Sequence, residues 1–342
     1  MIMTVYNNIS LKPYNTFGID VRARKMVVIE PSDDLSGLEL DEPFLFLGGG
    51  SNMVFTKDYD GTVVTLIPTN SKRNIQTPIS ILQTPDYELI QAWAGMVMDD
   101  LVQWSLDNGL YGLENLSAIP GTVGASAVQN VGAYGAEAKD FIESVEVYDL
   151  QERRLRTLSN ADCHFAYRHS LFKEQPGRHI VLRVTYRLHR KFVPNLSYKA
   201  LEGLPHSTAK QLRDSIVDLR WSKLPRPEEY GSAGSFFKNP FVSTPCYLRL
   251  KADFPDMPEA HPSPSTQNTA LPTYKLSAGW LIDKAGWKGM TMGRAGVWPK
   301  NALVLYNTGG CTGSEVVALA DAIITDVQQK FGITLTPEAI II

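Results

Sequence analysis

Residues 120–135 read Pro-Gly-Thr-Val-Gly-Ala-Ser-Ala-Val-Gln-Asn-Val-Gly-Ala-Tyr-Gly. Gly121, Gly124, Gly132 and Gly135 punctuate the stretch, with Ala125, Ser126, Ala127 and Ala133 among them. Glycine takes positive φ and lets a backbone come close to another body. Successive N–H groups in such turns form concave anion sites. Pro120–Gly135 therefore reads as a small-residue cradle for something flat and phosphorylated, with Thr122 and Ser126 as hydroxyl donors. A tightly packed turn between strands has the same composition, so the surrounding sequence must decide.

A second glycine run supports the cradle. The apolar residues Phe44 to Leu47 meet Gly48-Gly49-Gly50-Ser51-Asn52. A buried strand ending in three glycines is a phosphate-cradle candidate. It is not the dinucleotide fingerprint G-x-G-x-x-G.

The 342 residues suggest two or three domains, and 44% hydrophobic with 20% charged residues is an ordinary globular balance. The formal net charge of -3 argues against a chain built to wrap nucleic acid or coat an acidic membrane. Cys163, Cys246 and Cys311 are widely separated and form no C-x-x-C pair. Neither a disulfide framework nor a zinc site is expected, and each cysteine reads as a small buried hydrophobe in a reducing compartment. No signal peptide or membrane span is visible, so no membrane insertion is expected.

Along the chain, Tyr14–Gly18 reads as a turn into a strand at Ile19-Asp20. Strands follow at 61–66 and on either side of Pro85-Asp86. Met98, Leu101, Val102 and Ser105 share one helical face, stopped by Asn108-Gly109. Strands return at 144–149, 154–158 and 180–188. Strands and sparse helices do not alternate as a doubly wound sheet would, so the first half reads as α+β. Ser207 is expected to cap a helix with Leu212, Ile216 and Leu219 inward. The proline-rich stretch 254–272 reads as a long irregular loop of the kind that often forms a lid. A helix over 276–285, a strand at 302–306 and a last helix capped by Thr312 or Ser314 and closed by Gly332 complete the pattern. A strand-like tail from Ile333 to Ile342 is broken at Thr336-Pro337-Glu338.

Three residues invite chemistry. Arg168 lies among apolar and aromatic residues, where a guanidinium pairs with an internal carboxylate or meets a ligand anion. Ser235 precedes Phe236-Phe237, where a hydroxyl against water-excluding rings can relay a proton; a serine capped in a glycine turn is the plainer reading. Glu338 precedes Ala-Ile-Ile-Ile, where a carboxylate is costly without a partner unless it faces water.

The motifs Asn15–Gly18, Gly48–Asn52, Gly112–Glu114, Ile119–Ala125, Gln129–Gly135, Tyr167-Arg168, Ala233–Pro240 and Ala278–Ile282 stand in the order of the UDP-N-acetylenolpyruvylglucosamine reductase family, which the chain resembles from Leu11 to Glu338. Residues 186–198 and the loop of the third domain resemble its type I branch. The resemblance implies an FAD-binding module of the vanillyl-alcohol-oxidase-like (PCMH) class. Its two subdomains would span 1–68 and 69–205, followed by a C-terminal α/β substrate-binding domain over 206–330 and a strand over 331–342 carrying Glu338. FAD would lie against Gly48, Gly49, Gly50, Ser51, Asn52, Pro120, Gly121, Thr122, Gly124, Ala125, Ser126, Gly132, Ala133, Tyr134 and Gly135. Arg168 and Glu338 would polarise the substrate carboxylate, and Ser235 would donate the proton. Tyr198, Lys223 and Asn239 would bind the UDP-sugar.

Two positions depart from the family pattern. Asn301 stands where the family carries a glutamine. His261 lies near the place of a tyrosine that covers the uridine, with Tyr274 further along. The implied activity is NADPH-dependent reduction of UDP-N-acetylglucosamine enolpyruvate to UDP-N-acetylmuramate for peptidoglycan, by a cytoplasmic bacterial monomer without nucleic-acid partners. The alternatives are another FAD-dependent alcohol oxidase of this fold and a non-catalytic nucleotide-sugar sensor. No histidine lies within either glycine loop to tether a flavin, which disfavours the oxidase.

Overall fold

The computed structural model describes residues 3–66, 79–260, 262–263 and 273–342. His261, most of the proline-rich loop and the expected boundary at 68/69 lie outside the described residues. The described residues cluster into two compact units. The first comprises Met1–Ser10, Arg22–Gly50 and Tyr59–Trp221, and the second Leu11–Val21, Ser51–Asp58 and Ser222–Ile342.

The first unit holds two sheets. Strand Arg22–Val28 pairs antiparallel with Thr4–Ser10 and parallel with Tyr59–Thr65, which in turn pairs parallel with Phe44–Leu47. The second sheet is antiparallel, with Ile142–Asp149 between Arg154–Ser159 and His179–His189, continuing through Tyr87–Trp93 to Ile79–Gln83. This sheet is buried on both sides at one end. Ile180, Leu182 and Tyr148 pack with Val27, Ile29 and Val64 of the first sheet. Val145, Val147, Val184 and Tyr186 pack with Leu101 and Val102 of helix Met98–Asp107 and with Val123 and Ala127 of helix Val123–Gln129. Beyond a register shift between Glu146 and Val147, the 183–188 stretch alternates Arg183, Thr185 and Arg187 against Val184, Tyr186 and Leu188. A bulge adds one residue and so swaps which parity faces the core.

The helix expected from the 98–105 periodicity is present, with all four named residues buried and Asn108 at its C-cap. Helix Ala209–Lys223 buries Leu212 and Ile216, but its first turn is bonded by Thr208, whose Oγ1 accepts from Gln211 N at 3.2 Å, rather than by Ser207. Two expectations fail. Ile19-Asp20 is not a strand; the carboxamide of Asn15 bonds Leu11 O, Ile19 O and Ile19 N and closes the segment into a compact loop. Cys163 and Cys311 are buried as expected, but Cys246 is half-buried.

In the second unit an antiparallel sheet runs Gly231–Ser235, Val304–Asn307, Ala295–Val297, Thr291–Met292. Helix Gly313–Phe331 buries Val316, Leu319, Ala320, Ile323, Val327 and Phe331. Thr312 and Glu315 form its capping box, and Gly332 ends it at φ +72°. Pro262–Ser263, within the stretch expected to be loop, is a short strand: it pairs with Thr273–Lys275, which follows the stretch and pairs also with Phe241–Ser243. The tail is a strand only at Ile340–Ile341, beside Met53–Val54.

One buried charge cluster ties the antiparallel sheet together. The Asp149 side chain is fully buried. Arg178 donates to its Oδ2 through Nε (3.1 Å) and a terminal nitrogen (2.9 Å), while Gln151 N and Glu152 N donate to Oδ1 at 2.9 and 3.0 Å. Burial alone would raise its pKa. The Arg178 bonds and the two turn N–H groups outweigh burial and hold it at about 2, against an ordinary 3.8. A carboxyl with a depressed folded-state pKa stabilises above its unfolded value and loses that contribution as pH falls through the folded one, here about 2 kcal/mol between roughly pH 5 and 2. Asp149→Asn should therefore unfold about 3 kcal/mol more easily in urea at pH 7, because it removes the buried charge partner of Arg178 and leaves only the more distant Glu152 at 3.4 Å. The gap between wild type and variant should narrow as the pH is lowered toward 2.

Candidate active site

The two glycine runs meet inside the first unit. A Cβ on Gly49 would lie 2.9 Å from Gly121 Cα, and one on Gly48 would lie 3.0 Å from both Ala125 Cβ and Thr122 Oγ1. Gly121 itself sits at φ +120°. The loop is clamped from below: Met98 N donates to Gly121 O, Val123 N to Met96 O and Gly124 N to Ala94 O. A Cβ on Gly124 would strike Ala94 Cβ at 2.8 Å. Small residues are thus required on three sides by backbone proximity.

The Thr122 hydroxyl is the N-cap of helix Val123–Gln129, accepting from Ala125 N at 3.3 Å. Ser126 does not offer its hydroxyl to a ligand. It is 3% exposed, its Oγ donates to Val123 O at 2.7 Å and it lies 3.2 Å from the buried Tyr186 hydroxyl. Sequence reading missed the helix because glycines and alanines hid its 3.6-residue period.

Beyond the helix, Gly132-Ala133 pairs with Ala136-Glu137, and Tyr134 (φ +50°) and Gly135 (φ +85°) form the turn. The Tyr134 ring meets Tyr198 edge-on at 5.4 Å. Burial raises the Tyr134 pKa, against the pull of the Arg220 guanidinium beside it. Arg220 is half-buried, and its Nε, itself inaccessible, finds no acceptor among the described residues. Burial lowers the Arg220 pKa, with the Tyr134 hydroxyl and Asp99 opposing.

Arg168 takes φ +55°, and its guanidinium donates to Gly132 O at 3.0 Å. Two buried polar hubs hold this end of the cradle. Asn130, in a left-handed conformation, donates to Ala166 O at 2.8 Å and to Glu137 Oε2 at 3.0 Å. Asn115 donates to Tyr134 O and Asn195 O at 2.7 and 2.9 Å. Neither asparagine, nor Arg220, was singled out in the sequence. Asparagine's tolerance of left-handed backbone next to glycines is the signal that would have found Asn130.

In the second unit Ser235 ends its strand, exposed, after Gly234 at φ +68°. Phe236 and Phe237 turn inward, 0% and 1% exposed, so the hydroxyl stands on the opposite side from the rings. Glu338 N donates to Phe236 O at 2.7 Å, and Asn52 Nδ2 donates to Glu338 O at 3.2 Å. The segment bearing Glu338 therefore runs beside the residues that follow Ser235, joined also by the isolated bridge between Phe237 and Pro337. Ser51 and Asn52 belong to this second unit. Asn239 Oδ1 accepts from Ala278 N at 2.9 Å, and Asn301 Oδ1 from Leu303 N at 3.1 Å. Lys223 is exposed at the end of its helix, and Tyr198 is partly so.

An adenine-dinucleotide flavin asks for close main-chain approach at its pyrophosphate and hydrogen-bond donors at its ring carbonyls and nitrogens. The Gly48–Gly49 and Gly121 contact supplies the first, and the orphaned Arg220 Nε is a donor of the second kind. The residues fit FAD. Gly49→Val should cost about 1–3 kcal/mol of stability by overpacking and purify with most of its 450 nm absorbance lost. Gly37→Ala, with nothing within 4 Å of the added methyl, should change neither.

Known proteins resemble this chain over its whole length. The profile of an FAD binding domain matches residues 38–158, and that of the UDP-N-acetylenolpyruvoylglucosamine reductase C-terminal domain matches 226–342. UDP-N-acetylenolpyruvoylglucosamine reductase of Pseudomonas aeruginosa is 43% identical, with 99% of each chain covered. That of Neisseria gonorrhoeae is 43% identical over 96% of this chain and 94% of its own. The crystal structure of the Thermus caldophilus enzyme superposes with a TM-score of 0.68 at 24% identity, covering 99% of both chains, which establishes the shared fold. The oxidase and sensor readings gain no support. With the FAD-type module in the first unit and a reductase C-terminal domain in the second, the chain belongs to the UDP-N-acetylenolpyruvoylglucosamine reductase family of FAD- and NADPH-dependent oxidoreductases.

Proposed function

We propose that this chain reduces the enolpyruvyl group of UDP-N-acetylglucosamine enolpyruvate to give UDP-N-acetylmuramate, as a cytoplasmic monomer in a bacterial cell. The observation that carries this reading is the full-length 43% identity to reductases of that name, spanning both glycine loops and the segments of Ser235 and Glu338.

Bound FAD, recharged by NADPH, supplies the hydride that goes to the enolpyruvyl methylene carbon. The chain's residues handle the charge and the proton. Gly48, Gly49, Gly50, the Pro120–Ala125 turn and Gly132–Gly135 would hold the pyrophosphate and ring of FAD, with Arg220 as a further donor. Ser51 and Asn52 complete the cofactor set, while Ser126 supports the cradle from beneath, its hydroxyl and main chain both engaged within the protein. Hydride addition leaves negative charge on the neighbouring carbon, delocalised into the carboxylate as an enolate. Arg168 neutralises that carboxylate, and Glu338 assists on it. Preorganised donors of this kind are worth roughly 3–4 kcal/mol each in the transition state. Ser235 then protonates the carbon, with Lys223 or a water chain restoring its hydroxyl. Tyr198, Lys223 and Asn239 hold the UDP-sugar; Asn239 would use its Nδ2, since its Oδ1 is engaged by the helix. Asn301 and His261 complete the nucleotide contacts.

The purified protein should be yellow, bleach on anaerobic NADPH and recover its colour on addition of the enolpyruvyl nucleotide sugar. A colourless protein that cannot be loaded with FAD would remove the proposal. Ser235→Ala should keep the NADPH bleaching and lose about 10²–10⁴-fold in substrate-dependent recovery. Arg168→Ala and Glu338→Gln should each lose about 10²–10³-fold in the same half-reaction. Full-rate recovery in any of them removes that residue's role.

A further inference from the structure

Asp99 lies in the first turn of helix Met98–Asp107, immediately after the segment that clamps the cradle. Its Oδ1 accepts from the backbone N–H of Ala118 at 2.6 Å. Ala118 precedes Ile119-Pro120-Gly121 and takes φ +56°, a left-handed conformation that L residues other than glycine disfavour. The same carboxylate receives both terminal nitrogens of Arg213, at 2.6 Å on Oδ1 and 2.9 Å on Oδ2. Arg213 is largely buried, and its Nε is taken by Gln103 Oε1 at 3.0 Å. Arg220 follows two turns later on the Ala209–Lys223 helix, hence on the same face.

We propose that Asp99 is a positioning residue for the cofactor cradle: it holds Ala118 left-handed and fixes the helix that carries Arg220 to the same point. The geometry is that of a three-way joint. One carboxylate bridges Ala118, two residues before the Pro120–Gly135 loop, and a bidentate guanidinium, the strongest and most orienting of such pairings. Burial would raise the Asp99 pKa, but the Arg213 bonds, the Ala118 N–H and the charges of Arg213 and Arg220 bring it below its ordinary value. The carboxylate is therefore ionised wherever the enzyme works. Arg213 fixes the register of its helix against the 98–107 helix, and that register sets Arg220 beside Tyr134.

The inference rests on the reading of Pro120–Gly135 as the FAD cradle, and one titration separates the two. The readout is the Kd of FAD for apo-protein, measured by the fluorescence of free FAD, with far-UV circular dichroism and the apo melting temperature as a check on folding. Gly121→Val should abolish binding; if it binds FAD as wild type does, the cradle reading falls and this proposal with it. Asp99→Ala should bind about tenfold more weakly, the loss of one charge-assisted bond. Adding Ala118→Gly to Asp99→Ala should regain roughly fivefold, since glycine adopts the left-handed conformation unaided. Asp99→Asn retains a carbonyl oxygen for Ala118 N–H but gives up the bidentate charge pair with Arg213, and its Kd should fall between those of wild type and Asp99→Ala. An ion pair with a merely structural role would lower the melting temperature of Asp99→Ala while leaving the Kd unchanged, and that outcome overturns the proposal. So does a Kd that Ala118→Gly fails to restore. Should Asp99→Ala not fold, Ala118→Val tests the contact from the other side: with Asp99 intact, a β-branched residue at φ +56° should weaken FAD more than tenfold, and an unchanged Kd overturns the proposal.

Discussion

Two backbones touch in the first unit with no side chain between them. The approach of Gly49 to Gly121 leaves no room for a single methyl, and much of the surrounding sequence follows from keeping it. The apolar Phe44–Leu47 strand delivers one loop and is fixed by its parallel partner Tyr59–Thr65. The other loop is delivered by residues 94–98, which bond its carbonyl and amide groups directly. Close main-chain contact leaves N–H groups without side-chain shielding, and such surfaces suit anions. A geometric constraint on packing and a chemical preference for phosphate thus come from the same glycines.

Buried asparagines do much of the rest. Asn15, Asn115 and Asn130 are each nearly or fully inaccessible, and each ties irregular backbone that no sheet or helix could satisfy. A carboxamide offers both donor and acceptor without the desolvation cost of a charge, so it suits loops that must be rigid yet irregular. The cradle, the Arg168 loop and the 195–198 segment are fastened in this way. Charge is used sparingly: Asp149 at the sheet end and Asp99 beside the cradle each meet arginine in a bidentate or doubled contact.

The sequence made some of this legible and hid the rest for physical reasons. The 98–107 helix was readable because Met98, Leu101, Val102 and Ser105 recur at helical spacing and face one core. The terminal helix was readable from Thr312 and Gly332, which cap it as their chemistry demands. The 123–129 helix was hidden because alanine and glycine carry no strong apolar signal. The Ser126 hydroxyl was misjudged since composition says nothing about which way a short side chain turns. The Thr273–Lys275 strand was masked by the proline immediately before it and by pairing with residues distant in sequence. Asp99, Asn130 and Arg220 were invisible as site residues because their importance lies in partners brought near only by folding. The glycine cradle, by contrast, was visible because a requirement for missing side chains is written directly in residue identity.

Ser235, the proposed proton donor, is set by its main chain rather than by the side chains around it. In an even strand, residues 235 and 237 would share one face. Gly234 at φ +68° and the irregular pairing between Ser232 and Ser235 break that alternation, so Phe236 and Phe237 both turn inward while Ser235 turns out. Its main chain stays paired with Val304, and the next carbonyl accepts from Glu338 N. The hydroxyl is therefore held by backbone on both sides without spending its own hydrogen-bonding capacity. A serine open to water is a weak acid, and the proposed role requires a dry contact with a strongly basic carbon. The rings of Phe236 and Phe237 do not supply that dryness; the substrate must, by covering the hydroxyl as it binds. On this reading, binding energy from the nucleotide-sugar end is used at the reacting carbon, which accounts for an enzyme that recognises so large a handle to reduce so small a group.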